Sequence, residues 1–385
     1  MRAKHTSHPL KGFPVYSIAF VSANEVILGG GGGSSRAGIK NKMKLFRLDG
    51  DSSLELLSEF ELEKDADAPM SMVADPKTGM FACGINSSVE LIERGENKNC
   101  RAYKVDDKEI QPTGSVGTLR ARDVEDYQRA TSLSRDGSFL LAAGLRVFQV
   151  LRFPSLEPAA PLVEVEEDIY DAIFSPKQII LITTANITVF PLPNGNPGEP
   201  LEAIKTIPAP PMPDRGLNVQ IRLHPSDENV LYTLSNSTAS RAKLRSKATP
   251  RQAYISKWDV NTWKVTKIRK VSDKGATCFD ISPNGKYLAF GSSDYSIGIL
   301  DSATLAPLLT ILKAHEFPPT ALRFNLTSSL LVSGSPDNTV RVVTIPASLG
   351  SQSRSWILFF AVFFVLLAIL FQIYGVPNEL KAVFS

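Results

Sequence analysis

The residues best suited to chemistry lie near the start of the chain, where five consecutive glycines, Gly29 to Gly33, are followed by Ser34 to Asn41. Glycine leaves backbone amides and carbonyls uncovered and reaches dihedral angles closed to other residues, at an entropic cost to folding. Taken alone, such a run is typical of a flexible surface hairpin, because lengthening a loop costs little free energy. We expect the equivalent connections elsewhere in the chain to be short polar turns. We therefore expect function to lie in this stretch.

Side chains for covalent catalysis are not grouped in the sequence. The four histidines, His5, His8, His224 and His315, are scattered, and none accompanies a recognisable nucleophile motif. The glycine run lacks the lysine and the strand-to-helix context of a phosphate-binding loop. We therefore expect a protein without covalent chemistry, which is not an enzyme and has no small-molecule substrate.

Charge and cysteine content exclude further classes. The formal net charge is +3 over 385 residues, whereas a nucleic-acid-binding protein needs a concentrated basic face. We expect no nucleic-acid partner. Cys83, Cys100 and Cys278 are odd in number and lack metal-type spacing. This pattern indicates small buried side chains in a reducing compartment rather than zinc ligands or disulfides.

A repeating pattern describes the elements that must position the glycine run. The clearest copy, Phe279 to Asp301, contains three apolar strand segments separated by two tight turns. Six fainter copies, spaced 41 to 59 residues apart, begin near Ser22, Asp75, Ser134, Ser175, His224 and Asn325. Repeats of this length with three strand segments predict propeller blades, since one small sheet buries both faces only when neighbours stack on it. We expect an all-β, seven-bladed propeller over residues 1–346.

In fold, residues 10–346 resemble the WD-repeat family, although a Trp-Asp pair does not close most of the blades. Asp294, Asp337 and His315 occupy positions where that family keeps structural Asp and His residues, so we assign them to architecture. The ring must also close. Because little chain remains after the last predicted strand, we expect Ala3 to Lys11 to add its outer strand and remove an exposed edge.

A membrane span is predicted near the end of the chain. Trp356 to Phe371 contains no polar side chain, and residues 356–374 reach about 28 Å as a helix, close to the hydrocarbon thickness of a bilayer. The alternative, a buried core helix, is disfavoured because the stretch has no polar face. Since the N-terminus has no apolar leader, we expect a cytosolic propeller, a linker at 347–355 and a short luminal tail at 375–385.

The glycine-rich turn followed by Gly38, Ile39 and Asn41, on a propeller with one C-terminal span, resembles the endoplasmic-reticulum exchange factor for the Sar-type GTPase. That family starts assembly of the COPII vesicle coat. The resemblance implies a loop that binds a potassium ion and enters the GTPase switch region. It implies Ile39 and Asn41 as the groups that engage the GTPase. It implies Gly29, Gly30, Gly31, Gly32, Gly33, Gly38 and Asn41 as the potassium ligands, mostly through backbone carbonyls.

Two functions remain open at this point. The first is a membrane-anchored guanine nucleotide exchange factor that accelerates GDP release and GTP loading at the endoplasmic-reticulum membrane. The second is a membrane-tethered scaffold without exchange activity, which is the commoner use of the fold. Replacing Ile39 or Asn41 with alanine distinguishes them. Under the first function exchange is lost while the propeller stays folded.

Overall fold

The structure is a computed structural model that describes residues 4–34, 38–49, 52–209, 215–238, 251–350 and 355–374. The chain divides into two compact units, Met1–Pro346 and Ala347–Ser385. The first unit consists of seven four-stranded antiparallel sheets. The predicted all-β, seven-bladed propeller is therefore confirmed.

Six blades are each formed by four consecutive strands, and the seventh takes one strand from the N-terminus. Blade 1 contains β2 (Val15–Phe20), β3 (Glu25–Gly30), β4 (Lys42–Leu48) and β5 (Leu54–Glu61). Blade 2 contains β6 (Ser71–Asp75), β7 (Met80–Gly84), β8 (Cys100–Asp106) and β9 (Glu109–Val116), with the short helix α1 (Val89–Glu93) between β7 and β8. Blade 3 contains β10 (Ala130–Leu133), β11 (Phe139–Ala143), β12 (Val147–Arg152) and β13 (Val163–Glu164).

The remaining blades follow the same order. Blade 4 contains β14 (Ile169–Phe174), β15 (Gln178–Thr183), β16 (Asn186–Pro191) and β17 (Lys205–Pro208). Blade 5 contains β18 (Arg215–Leu223), β19 (Val230–Thr238), β20 (Ala253–Asp259) and β21 (Lys264–Ser272). Blade 6 contains β22 (Ala276–Ile281), β23 (Tyr287–Ser292), β24 (Ile297–Asp301) and β25 (Pro307–Ile311). Blade 7 contains β26 (Ala321–Phe324), β27 (Leu330–Ser335), β28 (Thr339–Thr344) and β1 (His5–Pro9).

The N-terminal strand closes the ring. β1 pairs antiparallel with β28, from His5 opposite Val343 to Pro9 opposite Thr339. This arrangement confirms the prediction that residues within Ala3 to Lys11 add the outer strand of the last blade. Closure joins the two ends of the propeller chain in one sheet, so that blade 7 depends on both.

The core lies between blades rather than within them. One buried cluster joins blade 7 to blade 1 and includes Val15, Val26 and Val332, and another joins blade 1 to blade 2 and includes Met43, Phe81 and Tyr103. Alternating side chains on both faces of each sheet are buried by the neighbouring blades, as expected for stacked sheets. The three cysteines are buried and unpaired, and burial raises the pKa of Cys100 and Cys278 to about 12.

The second unit contains helix α2 (Ser355–Tyr374), which covers the segment where the sequence predicts a membrane span. Among the described residues, no helix meets the length and apolarity that crossing a membrane requires. The span at 356–374 therefore stays a prediction from the sequence. Residues 351–354 of the predicted linker and the whole predicted tail, 375–385, lie outside the described residues.

Strand order places the glycine run on one face of the ring. Within a blade the strands alternate in direction, so the connection from the second to the third strand and the connection to the next blade leave from the same edge. The β3–β4 connection, the β5–β6 connection and α1 therefore lie on one propeller face, which we call the loop face. Turns such as that between β26 and β27 lie on the opposite face.

Candidate functional site

The glycine run is only partly a loop. Gly29 and Gly30 belong to β3 and pair with Met43 and Lys42 of β4, and Gly29, Gly30 and Gly31 are buried. The expectation of a fully uncovered five-glycine backbone is therefore wrong for these three residues. A side chain at Gly29 would clash with Ser17 and Pro69, and one at Gly30 with the Pro14 carbonyl, so close packing requires glycine there.

The connection itself runs from Gly31 to Asn41, and its two sides lie against each other. Gly31 has a φ of 137°, and a Cβ atom there would lie 2.6 Å from the Asn41 Cα. At Gly32 a Cβ atom would lie 2.8 Å from the Ile39 carbonyl oxygen. Glycine is therefore needed for a close approach of two backbones rather than for mobility. The base of the loop is a packed, ordered structure.

Asn41 holds that base together. Its Oδ1 accepts a hydrogen bond from the Gly33 amide at 2.9 Å, and its Nδ2 donates to the Gly33 carbonyl at 2.9 Å and to the Ala66 carbonyl at 2.7 Å. The Asn41 carbonyl also accepts from the Leu62 amide at 3.0 Å. Asn41 thus fastens the glycine turn to the β5–β6 connection. The geometry favours a positioning role for Asn41 over direct contact with a partner.

Asp67 is a site residue that the sequence reasoning missed. It is half-buried beside Gly33, and its carboxylate accepts hydrogen bonds from the backbone amides of Ala68 and Ser34. Burial raises the pKa of Asp67, while those two amides oppose the shift. Within the described residues, this carboxylate forms no ion pair with a cationic side chain. Nothing in the residues around Asp67 indicates this role, because Asp67 lies in a different connection of the loop face.

Ile39 lies on the outer side of the loop. Its side chain is 36% exposed, and it lines a cleft on the loop face together with Val89 of α1 and Val124 of the β9–β10 connection. Val89 is 52% exposed and Val124 is also exposed. The neighbouring Lys40 forms an exposed ion pair with Glu61, with 2.6 Å between Nζ and Oε1. The loop therefore presents an apolar side chain to solvent on a fixed base.

The donor set suits a weakly charge-dense cation better than a transition metal. Among the described residues, no group of three or more His, Cys, Asp or Glu side chains is placed to hold a metal ion. The oxygens found at the loop base are the Gly33 carbonyl and the Asn41 Oδ1, each of which accepts a hydrogen bond from the other residue, and, nearby, the Asp67 carboxylate. Each of these oxygens has a second lone pair. Such carbonyl-rich sites are typical of potassium.

Not all predicted ligands come together. Gly31, Gly32 and Gly33 lie with Asn41 at the loop base. Gly29 and Gly30 lie in β3 between β2 and β4. Gly38 is exposed, with a φ of 75°. Ser35, Arg36 and Ala37 lie outside the described residues, so the outer part of the loop is not described.

The fold and its internal repeats define a WD-repeat propeller. The family model for the WD domain, G-beta repeat, matches residues 264–301 and 306–343. Those two ranges fall on β21 to β24 and on β25 to β28.

The chain is also similar over most of its length to proteins named as exchange factors. It is 23% identical over 92% of its length to the guanine nucleotide-exchange factor SEC12 of Candida glabrata, covering 76% of that protein. It is 24% identical over 93% of its length to the putative guanine nucleotide-exchange factor SED4 of Saccharomyces cerevisiae, covering 33% of that protein. SEC12-like protein 2 of Arabidopsis thaliana is 23% identical over 80% of the chain. These matches confirm the resemblance to WD-repeat exchange factors of the SEC12 type.

Proposed function

We propose that this protein is a guanine nucleotide exchange factor for a Sar-type small GTPase at the endoplasmic-reticulum membrane, where it starts COPII vesicle formation. The observation that carries the proposal is the similarity, over about nine tenths of the chain, to proteins named as guanine nucleotide-exchange factors. The loop with its exposed Ile39 supplies the element that such a function requires.

Exchange needs no covalent chemistry. A factor that binds the nucleotide-free GTPase more tightly than the loaded one lowers nucleotide affinity by the same ratio, because binding and release are linked. It must therefore contact space or segments that the loaded GTPase arranges differently. A projecting loop on a rigid scaffold is suited to this task, since loops held by rigid frameworks commonly carry binding residues.

The loop divides this work between two side chains. Ile39 is the apolar group presented to the GTPase switch region, and its burial against the partner favours the complex. Asn41 holds the glycine turn against the Ala66 carbonyl, so that the loop keeps its conformation when it contacts the GTPase. Because the base is already ordered, less conformational entropy is lost on binding.

A potassium ion is the cofactor that we propose for this loop. The Gly33 carbonyl, the Asn41 Oδ1 and the carbonyls of Gly31, Gly32 and Gly38 would hold it, with Asp67 nearby. When bound, the ion supplies positive charge that fixes carbonyl oxygens which would otherwise repel one another. Burial raises the pKa of Asp67, and a cation bound beside it would favour the charged carboxylate and lower that pKa.

Membrane attachment is the second part of the proposal. A single span at 356–374 would hold the propeller on the cytosolic side, with the segment 375–385 in the lumen. That location places nucleotide loading at the surface to which the loaded GTPase is recruited. The apolar stretch from Trp356 to Phe371 supports this topology.

The decisive experiment measures release of fluorescent GDP from a Sar-type GTPase by the full chain in potassium buffer. The test variant is Ile39→Ala, and the matched control is Leu326→Ala, because Leu326 is 39% exposed and lies in the β26–β27 turn on the opposite face. We expect Ile39→Ala to slow the accelerated release about a hundredfold, equivalent to ~2.7 kcal/mol. Leu326→Ala is expected to match the wild type.

Each part of the proposal has its own contrary result. If the folded wild-type chain does not accelerate release, the scaffold function replaces the exchange function. If Ile39→Ala and Leu326→Ala accelerate GDP release equally, the loop is not the element that promotes release. Repeating the wild-type assay in sodium buffer tests the ion, since equal rates in both buffers would remove potassium from the proposal and leave exchange intact.

A further inference from the structure

The central channel of the propeller carries an unusual set of charges. The innermost strands of the seven blades surround a cavity of about 270 Å³. From blade 3 to blade 7, each blade adds one charged side chain of alternating sign to its lining: Arg129, Asp171, Arg222, Asp280 and Arg323. Among the described residues this gives three guanidinium groups and two carboxylates, and the channel lining therefore carries one excess positive charge.

Both carboxylates already bind groups of neighbouring blades. Asp171 accepts a hydrogen bond from the Ile221 amide at 3.1 Å and forms an ion pair with Arg222 at 2.7 Å. Asp280 accepts from the Phe324 amide at 3.0 Å and lies 3.5 Å from the Arg222 Nε. Arg222 is thus neutralised from both sides. Its ion pairs raise its pKa in spite of the opposing effect of burial.

Arg323 is much less well compensated. Its Nη1 lies 3.7 Å from Asp280 and donates a hydrogen bond to the carbonyl of its own neighbour, Leu322, at 3.1 Å. Burial lowers the pKa of the Arg323 guanidinium, and the charge of Arg222 lowers it further. About a third of the side chain is exposed, and since Arg323 lines the channel, that part is available to a ligand there.

Arg129 and Gln220 bring unused polar atoms to the same cavity. Within the described residues, the Arg129 Nε and the Gln220 Oε1 are buried without a hydrogen-bond partner. The Arg129 guanidinium lies over the Tyr127 ring, 5.0 Å from its centre. This contact uses the face of the guanidinium group, so its N–H groups can still donate hydrogen bonds in the guanidinium plane. Rotation of the Gln220 amide would present N–H donors in place of its oxygen. Buried polar groups normally have partners, so two side chains of the channel lining carry hydrogen-bonding groups that no described residue satisfies.

We infer that the channel binds one small oxyanion, of the phosphate or carboxylate class, between Arg129 and Arg323. An oxyanion balances the excess charge and accepts hydrogen bonds from the planar guanidinium groups, which match the oxygen spacing of phosphates and carboxylates. The cavity is large enough for an anion of a few heavy atoms. The site is separate from the glycine loop and does not rest on the exchange function.

The test uses the full chain and two probes, inorganic phosphate and acetate, at fixed pH and ionic strength with chloride as the balancing anion. Thermal unfolding and titration calorimetry are measured for the wild type, for Arg323→Gln and for Arg129→Gln. Arg152→Gln is the matched control, because Arg152 is exposed at the end of β12 and does not line the channel. Comparing the probes distinguishes a tetrahedral phosphate from a carboxylate ligand.

We expect one probe to bind the wild type with one site per chain and to raise its unfolding temperature by about 2 °C or more at saturation. Arg323→Gln and Arg129→Gln should each weaken that binding about tenfold or more, whereas Arg152→Gln should leave it unchanged. Because Arg129→Gln also removes the contact with the Tyr127 ring and the attraction to Asp126, the probe-dependent change in unfolding temperature of each variant is measured relative to the same variant without the probe.

The inference would be overturned if neither probe bound the wild type saturably. It would also be overturned if Arg129→Gln bound the probe as tightly as the wild type. If Arg323→Gln does not fold, Arg323→Lys retains the charge and tests the fork geometry in its place. In that case weaker binding by the lysine variant supports the site, and unchanged binding by both Arg323→Lys and Arg129→Gln contradicts it.

Discussion

Blade 7 and blade 1 close the same connection in different ways. In blade 7 the link between β27 and β28 is residues 336–338, whereas the link between β3 and β4 in blade 1 is residues 31–41. The family model for the WD repeat matches the first of these regions and not the second. The two connections therefore separate what the repeat needs for folding from what this chain adds.

The short connection is closed around a buried histidine. His315 Nδ1 lies 3.2 Å from Asp337 and 2.9 Å from the Thr339 hydroxyl, and its Nε2 lies 2.8 Å from the Ser333 hydroxyl. Asp337 also accepts hydrogen bonds from the Glu316 and Thr339 amides, both at 2.8 Å. These contacts agree with the architectural assignment of Asp337 and His315. The network faces inward and leaves nothing to present to a partner.

The long connection is also closed by one side chain, but the result is different. Asn41 satisfies backbone groups at the loop base, while Ile39 stays exposed beyond it. Both connections use a polar side chain to replace backbone partners. Only the longer one carries an apolar residue outward. The equivalent connection in blade 2, residues 85–99 with α1, is longer still, so the expectation that equivalent connections elsewhere are short turns is wrong. What distinguishes the β3–β4 connection is the tightly packed glycine base that holds Ile39 outward.

The largest expected effect is on stability, through the short connection. Asp337→Ala removes the acceptor for two backbone amides, a hydroxyl and the His315 ring, and we expect it to cost about 3 kcal/mol of unfolding free energy. Asp294→Ala is the matched variant in blade 6, where the carboxylate is exposed and accepts hydrogen bonds from Ser296, and should cost about 1 kcal/mol. Urea unfolding measures both. Equal losses would contradict the inward network as the source of stability.

A smaller effect on stability and a clear effect on exchange are expected at the long connection. Asn41→Ala leaves the Ala66 carbonyl and both polar groups of Gly33 without their partner, so we expect a loss of about 1–2 kcal/mol. GDP release should slow about tenfold or more, because the displaced loop no longer presents Ile39 correctly.

The control for that prediction is Asn196→Ala. Asn196 is an exposed turn residue that accepts one local hydrogen bond from the Gly198 amide at 3.2 Å, so its loss should change neither quantity much. If Asn41→Ala destabilises the protein but exchanges at the wild-type rate, the loop base is architecture like Asp337. The contrast between the two connections would then fail.

More of the propeller fold than of the candidate site could be predicted from the sequence. The repeat of three apolar segments and two turns was enough to predict seven blades, and the short stretch between Thr344 and the apolar segment that begins at Trp356 was enough to predict closure by β1. A glycine run has no side-chain pattern, so nothing in it marked Gly29 and Gly30 as strand residues. The hydrogen bond from the Asn41 amide to the Ala66 carbonyl could not be predicted from the sequence, because it joins different connections.

Residues that meet across blades were missed for the same reason. Asp67 approaches the glycine turn from the β5–β6 connection, and its neighbours in sequence give no sign of it. The alternating channel charges, from Arg129 to Arg323, come from five different blades. In the sequence these five residues lie more than 40 residues apart. Their pattern becomes visible only when the innermost strands are placed around a common axis.

The smallest expected effect is a pH dependence of stability that belongs to the short connection. Burial lowers the pKa of His315 below its usual value of 6.5, with the Arg341 charge contributing and Asp337 opposing. The unfolded chain therefore binds a proton on this histidine at a higher pH than the folded chain does. The contribution of His315 to stability is fully present above about pH 6.5. It falls as the pH drops from 6.5 through the pKa of the folded state, by about 1.4 kcal/mol for each pH unit between the unfolded and folded pKa values.

Urea midpoints measured from pH 7.5 to 5 for the wild type and for His315→Gln isolate this contribution, because Asp67 and the other carboxyls titrate in both. The wild type should lose more stability than the variant over this range. Parallel curves would mean that His315 is not held neutral by its burial, and that the short connection is secured by Asp337 alone.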